Sequence, residues 1–147
     1  MESAYAAAMR LLANREHTAV ELSKKLASRG FEHDIVEKTV DRLSVTGMQS
    51  DERFVEVYIH SRVTKGYGPA HISRALREKG ISTDLAHKHL ESSDNYWLTI
   101  AKDILARKFS EEITLSAKEW DRRARFLSSR GFSGSIIYKV LPSKNWD

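Results

Sequence analysis

The chain has 147 residues, 41% hydrophobic and 30% charged, with a net charge of +4 and no cysteine. That composition fits an ordinary globular protein, built as one domain or as several small units sharing a core. It excludes disulfides, a thiolate metal site and a cysteine nucleophile, and with no run of about 18 apolar residues no membrane span is expected.

In chain order, Ala4, Ala7, Ala8, Leu11 and Leu12 recur at helical spacing and predict a first amphipathic helix. Thr18-Ala19-Val20-Glu21 has the form of a capping box, in which hydroxyl and carboxylate each satisfy an orphan backbone donor. The helix it opens should bury Leu22 and Leu26 and end at Gly30. A third helix from about Asp34 should bury Ile35, Val36, Val40 and Leu43 and stop at Gly47. Ser50-Asp51 is a good N-cap pair for a fourth, with Phe54, Val57 and Tyr58 facing inward. Lys65 closes that helix, where a cation suits the negative end of the dipole. Gly66-Tyr67-Gly68 then breaks the chain. Gly68 serves as N-cap and Pro69 as first helical residue, where its missing N–H is no loss. Ile72, Ala75 and Leu76 form the next stripe, and Gly80 ends it. Ser82 or Thr83 caps a helix burying Leu85, Ala86 and Leu90. From near Ser93, the residues Trp97, Ile100, Ala101, Ile104 and Leu105 make a further stripe. After a longer connection, Ser116-Ala117-Lys118-Glu119 reads as a second capping box opening a helix to Arg130. Gly131 stops it, Ile136, Ile137, Val140 and Leu141 give a last short helix, and Pro142 blocks continuation.

These segments are copies. Leu26-Ala27-Ser28-Arg29-Gly30-Phe31 matches Leu76-Arg77-Glu78-Lys79-Gly80-Ile81 and Leu127-Ser128-Ser129-Arg130-Gly131-Phe132, with the glycines 50 and 51 residues apart. Thr18 and Gly68 each lie 12 residues before their glycine, and Ser116 lies 15 before its own, as in a helix one turn longer. Such a period marks a repeat protein whose units complete each other's cores. The expectation is an all-α fold of three tandem three-helix repeats, 1–48, 49–92 and 93–147, stacked into an elongated, curved, solenoid-like body. Such a body lies along an extended partner better than it encloses a small molecule.

Little here suggests catalysis. Gly66-Tyr67-Gly68 lacks the lysine and hydroxyl of a P-loop, and Pro69 removes an amide that would face a phosphate, so a turn and helix start is the reading. His87 and His89 are two apart and point to different faces. Glu111-Glu112 reads as a charge pair near a helix start. No nucleophile–base arrangement, cofactor motif or metal motif is found, and the chain is not expected to be an enzyme. Trp97 and Trp120 fall on apolar stripes and are expected in the core, whereas Tyr67 either packs on a neighbouring helix or serves as an exposed interface anchor.

The cations carry the functional lead. Net charge is 0 over 1–48, +1 over 49–92 and +3 over 93–147. Arg62 and Lys65 lie on one helix face, as do His71, Arg74 and Arg77, then Lys118, Arg122 and Arg125, and Lys25 with Arg29. Any single such ridge is usually a solvated face, but a ridge on the middle helix of every repeat favours a shared binding surface for phosphates or carboxylates.

Around Lys65-Gly66-Tyr67-Gly68-Pro69, followed by Ile72, Leu76, Arg77, Lys79, Gly80 and Ile81, the chain resembles the RecX family. Gly47-Met48-Gln49-Ser50-Asp51-Glu52-Arg53-Phe54-Val55 and Ser61-Arg62 extend the resemblance, although Met48-Gln49 replaces a usual aromatic–aliphatic pair and His71 a usual basic residue. The resemblance covers essentially the whole chain. It implies three tandem three-helix repeats. It also implies a cytoplasmic regulator that binds the RecA filament on single-stranded DNA, inhibiting filament extension, ATP hydrolysis and strand exchange in DNA repair and the SOS response. On that reading Arg62, Lys65, Tyr67, Arg74, Arg77, Lys79, Arg122 and Arg125 are the expected partner contacts. Gly30, Gly66, Gly68, Pro69, Gly80 and Gly131 are expected to set shape, and a monomer is expected, with direct contact to DNA open. The alternative is a direct DNA binder working in helix-turn-helix fashion.

Overall fold

The computed structural model describes residues 1–111 and 114–144; Glu112 of the expected charge pair lies outside them. Among the described residues the chain is all helical: α1 Ala4–Asn14, α2 Ala19–Ser28, α3 His33–Val45, α4 Asp51–Thr64, α5 Pro69–Glu78, α6 Thr83–Leu90, α7 Asp94–Lys108, α8 Ala117–Ser129 and α9 Gly134–Val140. They form three successive three-helix repeats.

The starts are set by hydroxyls. Ser3, Thr18, Ser93, Ser116 and Ser133 each accept from a backbone N–H of the first turn. Ser82 accepts from Leu85 N–H at 3.1 Å, which settles the choice between Ser82 and Thr83. At Thr18 the box is reciprocal, with Glu21 accepting from the Thr18 N–H at 3.1 Å. At Ser116 it is only half formed. Glu119 turns instead to Arg123 at 3.1 Å and Arg122 at 3.6 Å, because two guanidiniums outbid one neutral amide for a carboxylate.

The ends repeat one motif. Phe31 N–H donates to Leu26 C=O, Ile81 to Leu76 at 3.0 Å, and Phe132 to Leu127 at 3.1 Å. Gly30, Gly80 and Gly131 sit between at φ 93°, 88° and 97°. This is a Schellman stop, in which a left-handed residue lets the chain reverse and an apolar residue after it packs back on the last turn. It gives the sequence pattern leucine, three residues, glycine, apolar a physical cause.

By contacts the chain divides into two compact units, Met1–Tyr58 with Leu76–Ala86, and Ile59–Ala75 with His87–Asp147. In the first unit, α1, α2 and α3 pack pairwise around Ala7, Ala8, Leu22, Leu26, Val36, Val40 and Leu43. Leu22, Leu26 and Leu43 are fully buried, each worth roughly 1.5–3 kcal/mol of apolar burial. Two expectations are corrected here. Ile35 is 47% exposed and Val57 55% exposed. Val36, Val40 and Leu43 already define the inward face of α3, and Ile35 lies about 100° off it. On α4 it is Val55, with Phe54, that turns inward, leaving Val57 on the far side.

In the second unit, α7, α8 and α9 pack around Trp97, Ala101, Ile104, Trp120, Leu127, Ile136 and Ile137. Trp97 and Trp120 are core residues as expected, and the Trp120 indole donates to Pro142 C=O at 3.0 Å. Ile100, Leu105 and Val140 are only half-buried.

Each unit also contains a seat for one glycine turn. In the first, the Thr18 hydroxyl donates to Lys79 C=O at 2.6 Å, and a Cβ on Gly80 would fall 2.4 Å from Val20. In the second, Gly68 N–H donates to Arg130 C=O at 2.6 Å and Ala70 N–H to Gly131 C=O at 3.1 Å. A Cβ on Gly131 would fall 2.5 Å from the backbone nitrogen of His71. A helix start has free N–H groups and a helix end free carbonyls, so each fills the other's deficit.

Candidate nucleoprotein interface

In the first unit the expected contacts are Arg77 and Lys79. Arg77 is exposed near the end of α5, with no ion-pair partner among the described residues. Lys79 is largely engaged. Its amine lies 3.7 Å from Glu21 and 5.6 Å from the centre of the Tyr58 ring, while its carbonyl holds Thr18. Burial opposes the Glu21 carboxylate, but the Thr18 N–H, Arg15 and Lys79 outweigh it and hold its pKa below the usual value. Lys25 turns inward to His17 Nε2 at 3.0 Å, so the ridge expected on α2 reduces to Arg29.

In the second unit the structure places Arg62, Lys65, Tyr67, Arg74, Arg122 and Arg125. The Schellman bond from Tyr67 N–H to Arg62 C=O, 3.0 Å, turns the Tyr67 ring down onto His71, with centroids 4.2 Å apart. Tyr67 is thus half-buried, packed on the first turn of α5 through His71. Arg130 lies 4.8 Å from the Tyr67 centroid and Arg62 5.6 Å. Arg130 also covers Phe126 at 5.2 Å and donates to Lys65 C=O at 3.2 Å. Phe126 meets Phe109 edge-on at 5.5 Å. Arg122 and Arg123 lie over Phe109 at 5.2 and 4.9 Å.

The outcome is an alternation of rings and guanidiniums across α4, α7 and α8. Each cation–ring contact is worth roughly 0.5–2 kcal/mol and fixes the cation without neutralising it. Lys65, Arg74, Arg122 and Arg125 are exposed, while Arg62 is half-buried. Spacing along the sequence does not single out Arg130, Arg107, Lys108 or Arg123. Arg130 reads there only as the end of a helix, and Arg107 and Lys108 follow an apolar stripe that points to the core. Gly66 is required by its φ of 94° and Gly68 by close approach. A Cβ on Gly66 would meet Ile104 at 3.2 Å, and one on Gly68 would meet Gly131 C=O at 2.7 Å.

Gln49, which replaces the family's aliphatic residue, is 3% exposed yet satisfied. It accepts from the Ser44 hydroxyl at 2.6 Å and donates to Asp51 at 2.8 Å and His17 C=O at 3.2 Å. Asp51 in turn accepts from Ala19 N–H at 2.9 Å, so the Ser50-Asp51 motif ties α4 to α2 within the first unit. Among the described residues no helix is long and apolar enough to cross a membrane.

Against known proteins the chain matches the RecX first three-helix domain over residues 4–43, the second over 50–90 and the third over 94–141. It is 38% identical over 140 residues to a Pseudomonas fluorescens protein named Regulatory protein RecX, covering 95% of this chain and 90% of that one. It is 39% identical over 141 residues to the Legionella pneumophila protein of the same name, covering 96% and 94%. A crystal structure of RecX from Lactobacillus salivarius superposes with a TM-score of 0.79 at 24% identity, covering 93% of this chain and 91% of that one. That likeness establishes the fold, and the family matches across all three repeats establish the lineage: the chain belongs to the RecX family.

Proposed function

We propose that the protein regulates the RecA recombinase by binding the RecA filament on single-stranded DNA. Bound there, it inhibits filament extension, ATP hydrolysis and strand exchange, in DNA repair and the SOS response of the bacterial cytoplasm. The observation that carries this reading is the run of RecX domains over residues 4–141, interrupted only by short joints. The second unit's exposed cations and ring-held guanidiniums suit a polyanionic partner.

The mechanism is electrostatic and steric. Arg62, Lys65, Arg74, Arg122 and Arg125 of the second unit, and Arg77 of the first, meet acidic groups of the filament or phosphates of the strand. Tyr67 supplies an apolar contact among them. Lys79 contributes mainly through the turn it holds. Protein bulk on the filament then stands in the way of the next subunit. The protein acts as a monomer and needs no cofactor.

The test adds the protein to RecA, single-stranded DNA and ATP. The expected result is loss of ATP turnover at protein concentrations well below that of RecA. Unchanged turnover together with tight, salt-steep binding to naked duplex would replace this reading with that of a direct DNA binder.

A further inference from the structure

The second unit holds a cleft of about 180 Å³ between the turn after α4, the end of α7 and the end of α8. Lys65, Arg107, Lys108 and Arg130 line it, with Phe126 and Ile104 as its floor. Among the described residues, no carboxylate lines it. Asp103, one turn back on α7, pairs with Arg107, which leaves Lys65, Lys108 and Arg130 in the lining with no ion-pair partner among the described residues. Two of those are pre-positioned. Arg130 is fixed by Lys65 C=O at 3.2 Å and by the Phe126 ring, and Lys108 lies 5.5 Å from the same ring. Gly66 completes the wall, and the absence of a side chain there keeps the entrance open beside Arg130.

We infer that this cleft grips a backbone phosphate of a single-stranded nucleic acid. The volume corresponds to about six waters at roughly 30 Å³ each, which suits one solvated anionic group and excludes a peptide helix. The donors arrive from three directions: the α4 turn, α7 and α8. A carboxylate is planar and is best met by one coplanar guanidinium fork, whereas a tetrahedral phosphodiester takes donors from several sides at once. The inference rests on the filament reading, since the strand is the one the filament carries. It deepens that reading by assigning this cleft to the strand rather than to the recombinase.

The test uses a fluorescent deoxythymidine oligonucleotide without RecA, its binding followed by anisotropy across a salt series. The probe protein carries Lys65→Gln with Lys108→Gln, two exposed positions whose loss leaves the Arg130 contacts in place. Lys24→Gln with Lys38→Gln, exposed in the first unit, is the control, and thermal unfolding confirms that all three proteins fold. The cleft variant is expected to bind at least tenfold more weakly at low salt. The slope of log affinity against log salt should shrink by about 0.7, the value for a single strand on which one fewer phosphate is neutralised. The control should match wild type. Inorganic phosphate at matched ionic strength should compete with the strand on wild type. Wild-type affinity and slope in the cleft variant would overturn the inference, as would phosphate that occupies the cleft without displacing the strand. Loss of RecA inhibition by wild type would instead remove the filament reading, whatever the strand data show.

Discussion

The glycine turn at Gly80, in the first unit, and the one at Gly131, in the second, have the same backbone and the same kind of seat, yet they are closed by different chemistry. At Gly80 the seat is a hydroxyl, and the adjoining cation, Lys79, is answered by the Glu21 carboxylate. At Gly131 the seat is bare backbone, and the adjoining cation, Arg130, is held by a carbonyl and two aromatic rings. The residue before each seat differs too: His17 is buried and hydrogen-bonded, Tyr67 half-buried and stacked. One junction is electrically balanced; the other keeps its charge. A repeat can therefore preserve its geometry while one copy is left positive, and the positive copy is where the proposed interface concentrates.

If the two seats do the same mechanical work, the largest effect should come from Gly131→Ala. The new methyl group meets backbone that has no rotamer to escape into, at a φ of 97°. Left-handed strain of about 1–2 kcal/mol and overpacking of about 1–3 kcal/mol add to a loss of roughly 3 kcal/mol in denaturant unfolding. Thr18→Ala should cost about 1–2 kcal/mol, since it removes the N-cap and the bond to Lys79 C=O together. Gly30→Ala sharpens the contrast. Its φ is 93° but nothing lies within 4 Å of the added Cβ, so only the strain of about 1 kcal/mol remains. Equal losses at Gly30 and Gly131 would mean that the turn alone, and not its seat, sets the requirement for glycine.

The balanced junction should also be the acid-sensitive one. Burial disfavours the His17 imidazolium, and the charges of Arg15 and Lys25 add to this, so its pKa lies below the ordinary value despite the Arg15 carbonyl. The unfolded chain, titrating near 6.5, then binds a proton more readily than the folded one. Stability is full above about pH 6.5 and falls as pH drops from there toward the lower folded value. Glu21, held below its usual value, adds a second loss at lower pH, below the ordinary carboxylate range. Denaturant midpoints between about pH 7 and pH 5.5 should therefore slope downward in wild type, and His17→Gln should flatten them.

Much of the fold was legible because its signals are local. A capping box, a glycine after a helix and an apolar stripe each act within a few residues, so Thr18, Ser93, Gly80 and Trp97 could be placed from spacing alone. Ile35 and Val57 lie outside the core against their period, because an apolar residue at a stripe's edge is decided by which neighbour arrives. Glu119 departs from the capping-box pattern because Arg123, four residues on, competes for it. The site was harder. Tyr67 and Arg130 are 63 positions apart, and no spacing rule joins them; only the Gly68–Gly131 approach does. Arg107 and Lys108 look like the polar end of a core helix until Phe126 and Arg130 come beside them.

The central claim is that exposed cations, separable from the folding devices, engage the RecA filament. The most direct measurement reverses one exposed arginine in each unit, Arg77→Glu and Arg125→Glu, singly and together, and reads RecA ATP turnover on single-stranded DNA. Each should weaken inhibition, the double variant most, with unfolding free energy changed by no more than about 0.5 kcal/mol per site. A double variant that folds as wild type and inhibits RecA as fully would contradict the account.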